Sequence, residues 1–202
     1  MRRHSPNRTS RRSLLAAVAS GAIALSGCLD DVTSSADGEP TDESTDEATF
    51  PDHPVDEPRD PPSDRRCDGP CGMEPINYPE WNAQIAHADG QGVFFDTPGC
   101  LLTYRHEPTF YDGPAAPIEN AWVRDFRTKG LIDATAAVFV LDYDEERLEE
   151  PMAHNPKPFV DRADALAYVD SYDDLAESDI VGIDGFGAEQ AHRYREYPIP
   201  ED

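Results

Sequence analysis

Two short segments bring soft donors together in a chain that has few of them. Cys71-Gly72-Met73 sets a thiol and a thioether two residues apart around a glycine. Pro151-Met152-Ala153-His154-Asn155-Pro156 sets a thioether and an imidazole two apart in a loop bounded by prolines. Neither methionine lies in an apolar stripe, so neither reads as a core gap-filler, the commoner role of methionine. Thiolate and thioether sulfur select Cu(I) over hard cations, and these segments are where such chemistry would sit.

Other chemistry fits less well. Cys67 and Cys71 could form a disulfide, but so short a loop would strain it, and with Cys28 lipidated, as read below, only Cys67, Cys71 and Cys100 remain, which always leaves one over. A structural zinc site needs two more ligands at recognisable spacing, and no second Cys-Cys or His-His cluster exists. Cys100, beside Leu101 and Leu102, reads as a buried free cysteine. His87, His106 and His192 have no partner at ligand spacing and read as surface or capping residues. No Ser/His/Asp pattern, phosphate loop or nucleophile elbow is present. Cys71 as a nucleophile would need a base that only the distant His154 could supply, so an enzyme is not expected. Asp184-Gly185-Phe186 matches a kinase triplet by letters alone, without the lysine strand or catalytic loop that would give it meaning.

The elements that must position these residues alternate mostly with period two. Trp81 to His87 and Gln91 to Asp96 read as strands around an Asp89-Gly90 hairpin turn. Pro98 to His106 reads as a short helix capped by Thr97 or Asp96, and Asn120 to Phe126 as a strand. The order repeats: Ala134 to Tyr143, Lys157 to Val160, a helix over Asp161 to Ser171, then Asp179 to Asp184. At an offset of 65 residues Phe94, Asp96 and Leu101 fall on Phe159, Asp161 and Leu166. The expectation is an α+β fold of two small related ββαβ units sharing a core, residues 67–130 and 131–202. The second unit would end in a helix over Ala188 to Tyr197 whose packing is not legible.

Upstream lie two other regions. Residues 1–27 hold five arginines and no acid, and Arg11-Arg12-Ser13-Leu14-Leu15 opens an apolar run too short for an ordinary membrane span of about 20 residues. This resembles a twin-arginine export signal, and Leu25-Ser26-Gly27-Cys28 resembles a lipoprotein cleavage box that leaves Cys28 lipidated at the new N-terminus. Residues 28–66 are rich in Asp, Glu, Ser, Thr and Pro and are expected to form a disordered acidic linker, with His53 in solvent. An exported protein held at the outer face of the cytoplasmic membrane follows. Of the 202 residues 41 are acidic and 17 basic, a net charge of -24 that argues against nucleic acid as a partner. A surface so acidic suits a halophile, because about 1 M salt shortens the screening length to about 3 Å.

Cys71-Gly72-Met73-Glu74-Pro75, Tyr78-Pro79-Glu80-Trp81-Asn82-Ala83-Gln84-Ile85, Asp89-Gly90, Phe94-Phe95-Asp96, Ile132-Asp133-Ala134 and Pro151-Met152 resemble, in that order, the nitrous oxide reductase accessory lipoprotein family, NosL. The resemblance implies a monomeric, membrane-anchored Cu(I) chaperone. It would serve denitrification by supplying copper to nitrous oxide reductase together with a membrane copper-transport and assembly complex. It also implies a fold of two ββαβ units related to the organomercurial lyases. By position, Cys71 and Met73 match the family's Cys-Gly-Met motif and Met152 the methionine of its later Pro-Met segment. The implied site is trigonal or near-linear, made by Cys71, Met73 and Met152, with His154 as replacement or fourth ligand. Where relatives often carry glycines around the second methionine, this chain reads Glu149-Glu150-Pro151-Met152-Ala153-His154. Two rivals are a tethered interaction module without metal and a mercury or thiol enzyme suggested by fold kinship alone.

Overall fold

The computed structural model describes residues 50–195; the expected export signal, Cys28, the expected linker as far as residue 49 and the expected end of the last helix at Tyr197 lie outside the described residues. Strands β1 (Ala83–His87) and β2 (Gly92–Phe95) form the expected hairpin, with Gly90 at φ 82°, where a glycine avoids the strain of a Cβ. Helix α1 (Pro98–His106) follows, with Pro98 in its first turn and the Thr97 side chain accepting the Cys100 N–H. Strand β3 (Ile118–Arg124) returns along the other edge of β1, and β4 (Leu131–Asp133) pairs with β3. The second half runs β5 (Val138–Val140), β6 (Lys157–Phe159), α2 (Arg162–Val169) and β7 (Ile180–Gly182), then α3 (Ala188–Arg195).

The two halves share one topology. The sheets are ordered β2-β1-β3-β4 and β6-β5-β7, all pairs antiparallel, so each half puts its first strand in the centre and its helix between the second and third strands. This is the ββαβ repeat expected from the sequence. Leu131–Asp133, assigned above to the second unit, is the fourth strand of the first sheet; its half-exposed residues carry no apolar alternation that would have marked it. Asp161 stands at the N-cap of α2 but its side chain makes no capping bond, unlike Thr97.

Burial explains why the halves stay together. On β5, Phe139 belongs to the main core with Ile85, Val93, Phe95, Leu101, Val123 and Tyr194. Its neighbour Val140 faces the opposite side and packs with Phe159, Ala165, Val169 and Ile180 under α2. The C-terminal helix α3 packs on α1, adding Ala191 and Tyr194 to the main core.

Every residue of β1 and β2 is buried, which in an antiparallel sheet requires cover on both faces. Helix α1 supplies one cover. The other is the stretch from Phe50 to Arg66, which is therefore not linker as expected. The His53 N–H donates to Gly90 C=O at 2.7 Å, and the Gly92 N–H to Pro51 C=O at 2.8 Å. The His53 ring is 4 % exposed and stacks on Trp122 at 5.4 Å, while its Nε2 pairs with Gln84 Oε1 at 2.7 Å. His53 is thus a packing residue, because the outer faces of Trp122, Phe94 and Gln84 need an apolar body with a polar edge. His87 is also buried, with Nδ1 2.6 Å from Ala116 C=O and Nε2 3.2 Å from the Tyr104 hydroxyl. His53→Ala is expected to cost about 2 kcal/mol in chemical denaturation, from the lost stack and hydrogen bond. No change in midpoint would show that the strap contributes nothing to folding.

Candidate metal centre

The loop from Cys67 to Met73 is tied at both ends. The Cys67 N–H donates to Met73 C=O at 2.6 Å, closing the loop on itself. Arg66 Nη1 donates to Gly72 C=O at 2.9 Å, with Gly72 at φ 65°. Next to Cys67, the Asp68 N–H donates to Phe94 C=O at 3.1 Å and Asp68 Oδ2 accepts the Phe94 N–H at 3.0 Å. These bonds fasten the loop along β2. The strand then delivers Asp96 at its end, and the first turn of α1 delivers Cys100.

The result is a compact group. One ligand atom from each of Cys67, Cys71, Asp96 and Cys100 lies within 4.8 Å of all the others. The three cysteines among the described residues are free; Cys67, Asp96 and Cys100 are buried, and Cys71 is half-buried at the mouth. Cys71 Sγ donates to Asp96 Oδ1 at 2.6 Å, while Asp96 Oδ2 is buried without a hydrogen-bond partner. Arg195, from the last turn of α3, donates its Nε to Cys100 Sγ at 3.1 Å and an Nη2 hydrogen to Thr97 Oγ1 at 2.7 Å. A Cβ at position 99 would lie 2.6 Å from Arg195 Nη2, so the guanidinium keeps this place only beside a glycine.

The three thiols are not equivalent. Burial pushes the Cys67 thiol well up, with hydrogen bonding to Cys100 and Cys71 adding to the effect. Cys71 is raised, first by its hydrogen bond to Cys100. Cys100 is opposed by burial, yet hydrogen bonds from Cys67 and Cys71 and the Arg195 charge together hold it well below the ordinary thiol range. Burial, then the charge at Cys100, pushes Asp96 up to about 6. Of the three thiols Cys100 is therefore the one most favoured as a thiolate, beside the guanidinium and two thiol donors.

The other residues proposed from the sequence are placed as follows. Met73 Sδ accepts the Tyr78 hydroxyl at 3.3 Å, on the same loop as Cys71. Pro151 lines a surface hollow with Asn77, Tyr78 and Trp81, so the Met152 loop borders the segment that touches Met73. Met152 is 36 % exposed, and both Met152 and Ala153 take positive φ, 62° and 67°, a geometry glycine adopts without strain. His154 is not in the group around Cys71. Its Nε2 lies 3.1 Å from Arg193 C=O, its Nδ1 is 3.5 Å from Glu145 without hydrogen-bond geometry, and its ring sits against Tyr143 and Tyr194. Its carbonyl accepts Arg195 Nη1 at 3.1 Å, so the loop reaches Cys100 through Arg195. From the sequence, Cys67 pairs with Cys71 only as a disulfide or in a zinc site, and neither Asp96 nor Cys100 is brought to Cys71 at all. The available signal was two pairs at four-residue spacing, Cys67/Cys71 and Asp96/Cys100, which only the tertiary fold brings together.

The family model of NosL matches residues 59–174. The chain belongs to the NosL family. The matched span holds Cys67, Cys71, Asp96, Cys100, Met152 and His154, and ends before β7, α3 and Arg195. The fold is similar to the crystal structure of the copper chaperone NosL from Shewanella denitrificans, with a TM-score of 0.50 at 16% sequence identity, covering 66% of this chain and 97% of that one. No curated protein matches the chain.

Proposed function

We propose that this NosL family member is a Cu(I) chaperone, not an enzyme. It would be exported and anchored by lipidated Cys28 to the outer face of the cytoplasmic membrane. There, as a monomer, it would supply copper to nitrous oxide reductase through that enzyme's membrane assembly complex. The observation that carries the reading is Cys71, a half-exposed free thiol at the mouth of a buried group of soft donors, in a chain of this family. Thiolate and thioether ligands match a soft monovalent cation, and an accessible ligand permits transfer by stepwise exchange. At the surface Cys71, Met73 and Met152 would share the metal. His154 would join as a fourth ligand after releasing its contact with Arg193.

Thermal unfolding under reductant, with and without stoichiometric Cu(I), tests the reading. A ligand bound only by the native state stabilises it by RT ln(1 + [L]/Kd), so a large upward shift of the midpoint is expected. No shift would replace the chaperone with a metal-free interaction module. The acidic surface yields a second expectation, because screening removes self-repulsion. Unfolding midpoints should climb as KCl rises from about 0.1 M to about 1 M, where the Debye length falls from about 10 Å to about 3 Å. A flat or falling profile would refute adaptation to high salt.

A further inference from the structure

We propose that Cys67, Cys71 and Cys100 form an interior all-thiolate site that holds Cu(I) in three-coordinate form, with Cys71 as the one ligand shared with the thioethers at the surface. The inference rests on the Cu(I) reading above and names where the cargo goes once it has arrived.

The distances permit it without rebuilding the fold. Metal–thiolate bonds of about 2.3 Å around a trigonal centre separate the sulfurs by about 4 Å. The three Sγ atoms already lie within 4.8 Å of one another, so closure needs shifts of less than about 1 Å, within reach of small side-chain rotations. The surroundings also favour a cation. Three sulfurs and a carboxylate converge in a space from which water is largely excluded, and one carboxylate oxygen there has no partner. Three thiolates around one Cu(I) leave a net negative centre, and Arg195, buried against Cys100 Sγ, supplies a compensating charge. Asp96 is a positioning residue of the metal-free site: it accepts from the Cys71 thiol beside the other two sulfurs, a bond given up when Cys71 binds as a thiolate, and as a hard oxygen donor it is a poor ligand for a soft ion.

Depth gives the site a direction. Cys71 is half-exposed, Cys67 is 7 % exposed and Cys100 is fully buried. Cu(I) received by Cys71 with a thioether can exchange that thioether for Cys67 and then Cys100. Each thiol that becomes a thiolate ligand gives its proton to solvent, and no electron moves. Release is the reverse path through Cys71, so the interior set stores the ion and the surface set hands it over.

The test is Cu(I) titration of the chain in a thiol-free reductant against a chromogenic chelator, comparing wild type with Cys67→Ser, Cys100→Ser, Met152→Leu and Cys71→Ser. Metal-free unfolding midpoints serve as the folding control. Cys67→Ser and Cys100→Ser are each expected to weaken binding about tenfold or more, and to remove about a third of the ultraviolet thiolate-to-copper charge-transfer band. Met152→Leu removes a thioether and no thiolate, so a loss of band in the folded variant as large as that in Cys67→Ser would overturn the interior site. Sulfur K-edge absorption of the wild-type complex separates thiolate from thioether donors, and should read three thiolates per copper without any substitution. One thiolate per copper, or wild-type affinity in folded Cys67→Ser and Cys100→Ser, would overturn the interior site while leaving a surface Cys71 chaperone in place. Absence of Cu(I) binding in wild type would sink both.

Discussion

Cys71→Ser is expected to weaken Cu(I) binding by about a hundredfold or more while leaving the metal-free fold nearly unchanged. The two halves of this expectation have separate causes. Cys71 is the half-exposed thiol shared by the proposed interior set and the proposed surface set with Met73, so its loss removes a ligand from both copper arrangements. Serine offers a hard oxygen that stays protonated, and no soft donor replaces it. The fold survives because the side chain is half-exposed, and its hydrogen bond to Asp96 Oδ1 can be donated by a hydroxyl as well as by a thiol. With free copper at about 1,000 times the wild-type Kd, ligand stabilisation is about 4.1 kcal/mol. A hundredfold weaker variant keeps only about 1.4 kcal/mol of it. Calorimetric scans of both proteins with and without Cu(I) therefore separate a lost ligand from a damaged fold. Equal copper-induced shifts in the two proteins would remove Cys71 from the site.

What the sequence made legible follows from the range of the interactions involved. Helix α1 runs from Pro98 to His106 as expected, because Pro98 and the Thr97 cap act within one turn. The hairpin at Asp89-Gly90 is equally local. The internal echo was legible as an order of elements, and the matching positions of β1 and β5 at the centres of their sheets show it to be a repeat of topology. The strap over the first sheet was not legible, since its composition is that of a linker. Its burial is decided by Trp122, Phe94 and Gln84, which lie far along the chain and turn outward from β1, β2 and β3. The same limit applies to the metal centre. Cys100 looked like a small hydrophobe because Leu101 and Leu102 flank it, and Asp96 looked like a helix cap; each is a short-range reading of a residue whose partners are about 30 residues away. Arg195 lies farther still, and nothing near it in sequence points to a cysteine.

Glu150→Ala is expected to destabilise the protein by about 3–5 kcal/mol, lowering the unfolding midpoint by about 10 °C. Lys157 is 0 % exposed, an unusual state for an ammonium group, and burial depresses its proton affinity while Glu150 restores part of it. Its Nζ lies 2.5 Å from Glu150 Oε1, donates to Asn155 C=O at 2.7 Å and stands 3.9 Å from Asp142 Oδ2. Asp142 is engaged by the Tyr168 hydroxyl at 2.6 Å and Arg147 Nε at 2.8 Å, and Arg147 stacks on Tyr172. Removing Glu150 leaves a buried cation whose nearest carboxylate is already shared. Glu150→Ala combined with Lys157→Met should recover most of the loss, since the penalty belongs to the unpaired charge and not to the missing pair. The effect should also reach copper. Asn155 donates to Glu150 Oε2 at 3.1 Å and to Pro151 C=O at 2.8 Å, so this network frames the turn in which Met152 and Ala153 hold positive φ. Strain of that kind persists only where surrounding contacts enforce it. If Met152 takes part in copper exchange at the surface, Glu150→Ala will slow transfer of Cu(I) to a chelator even at temperatures where the protein remains folded. Unchanged transfer kinetics in the folded variant would confine the network's role to stability and remove Met152 from the exchange path.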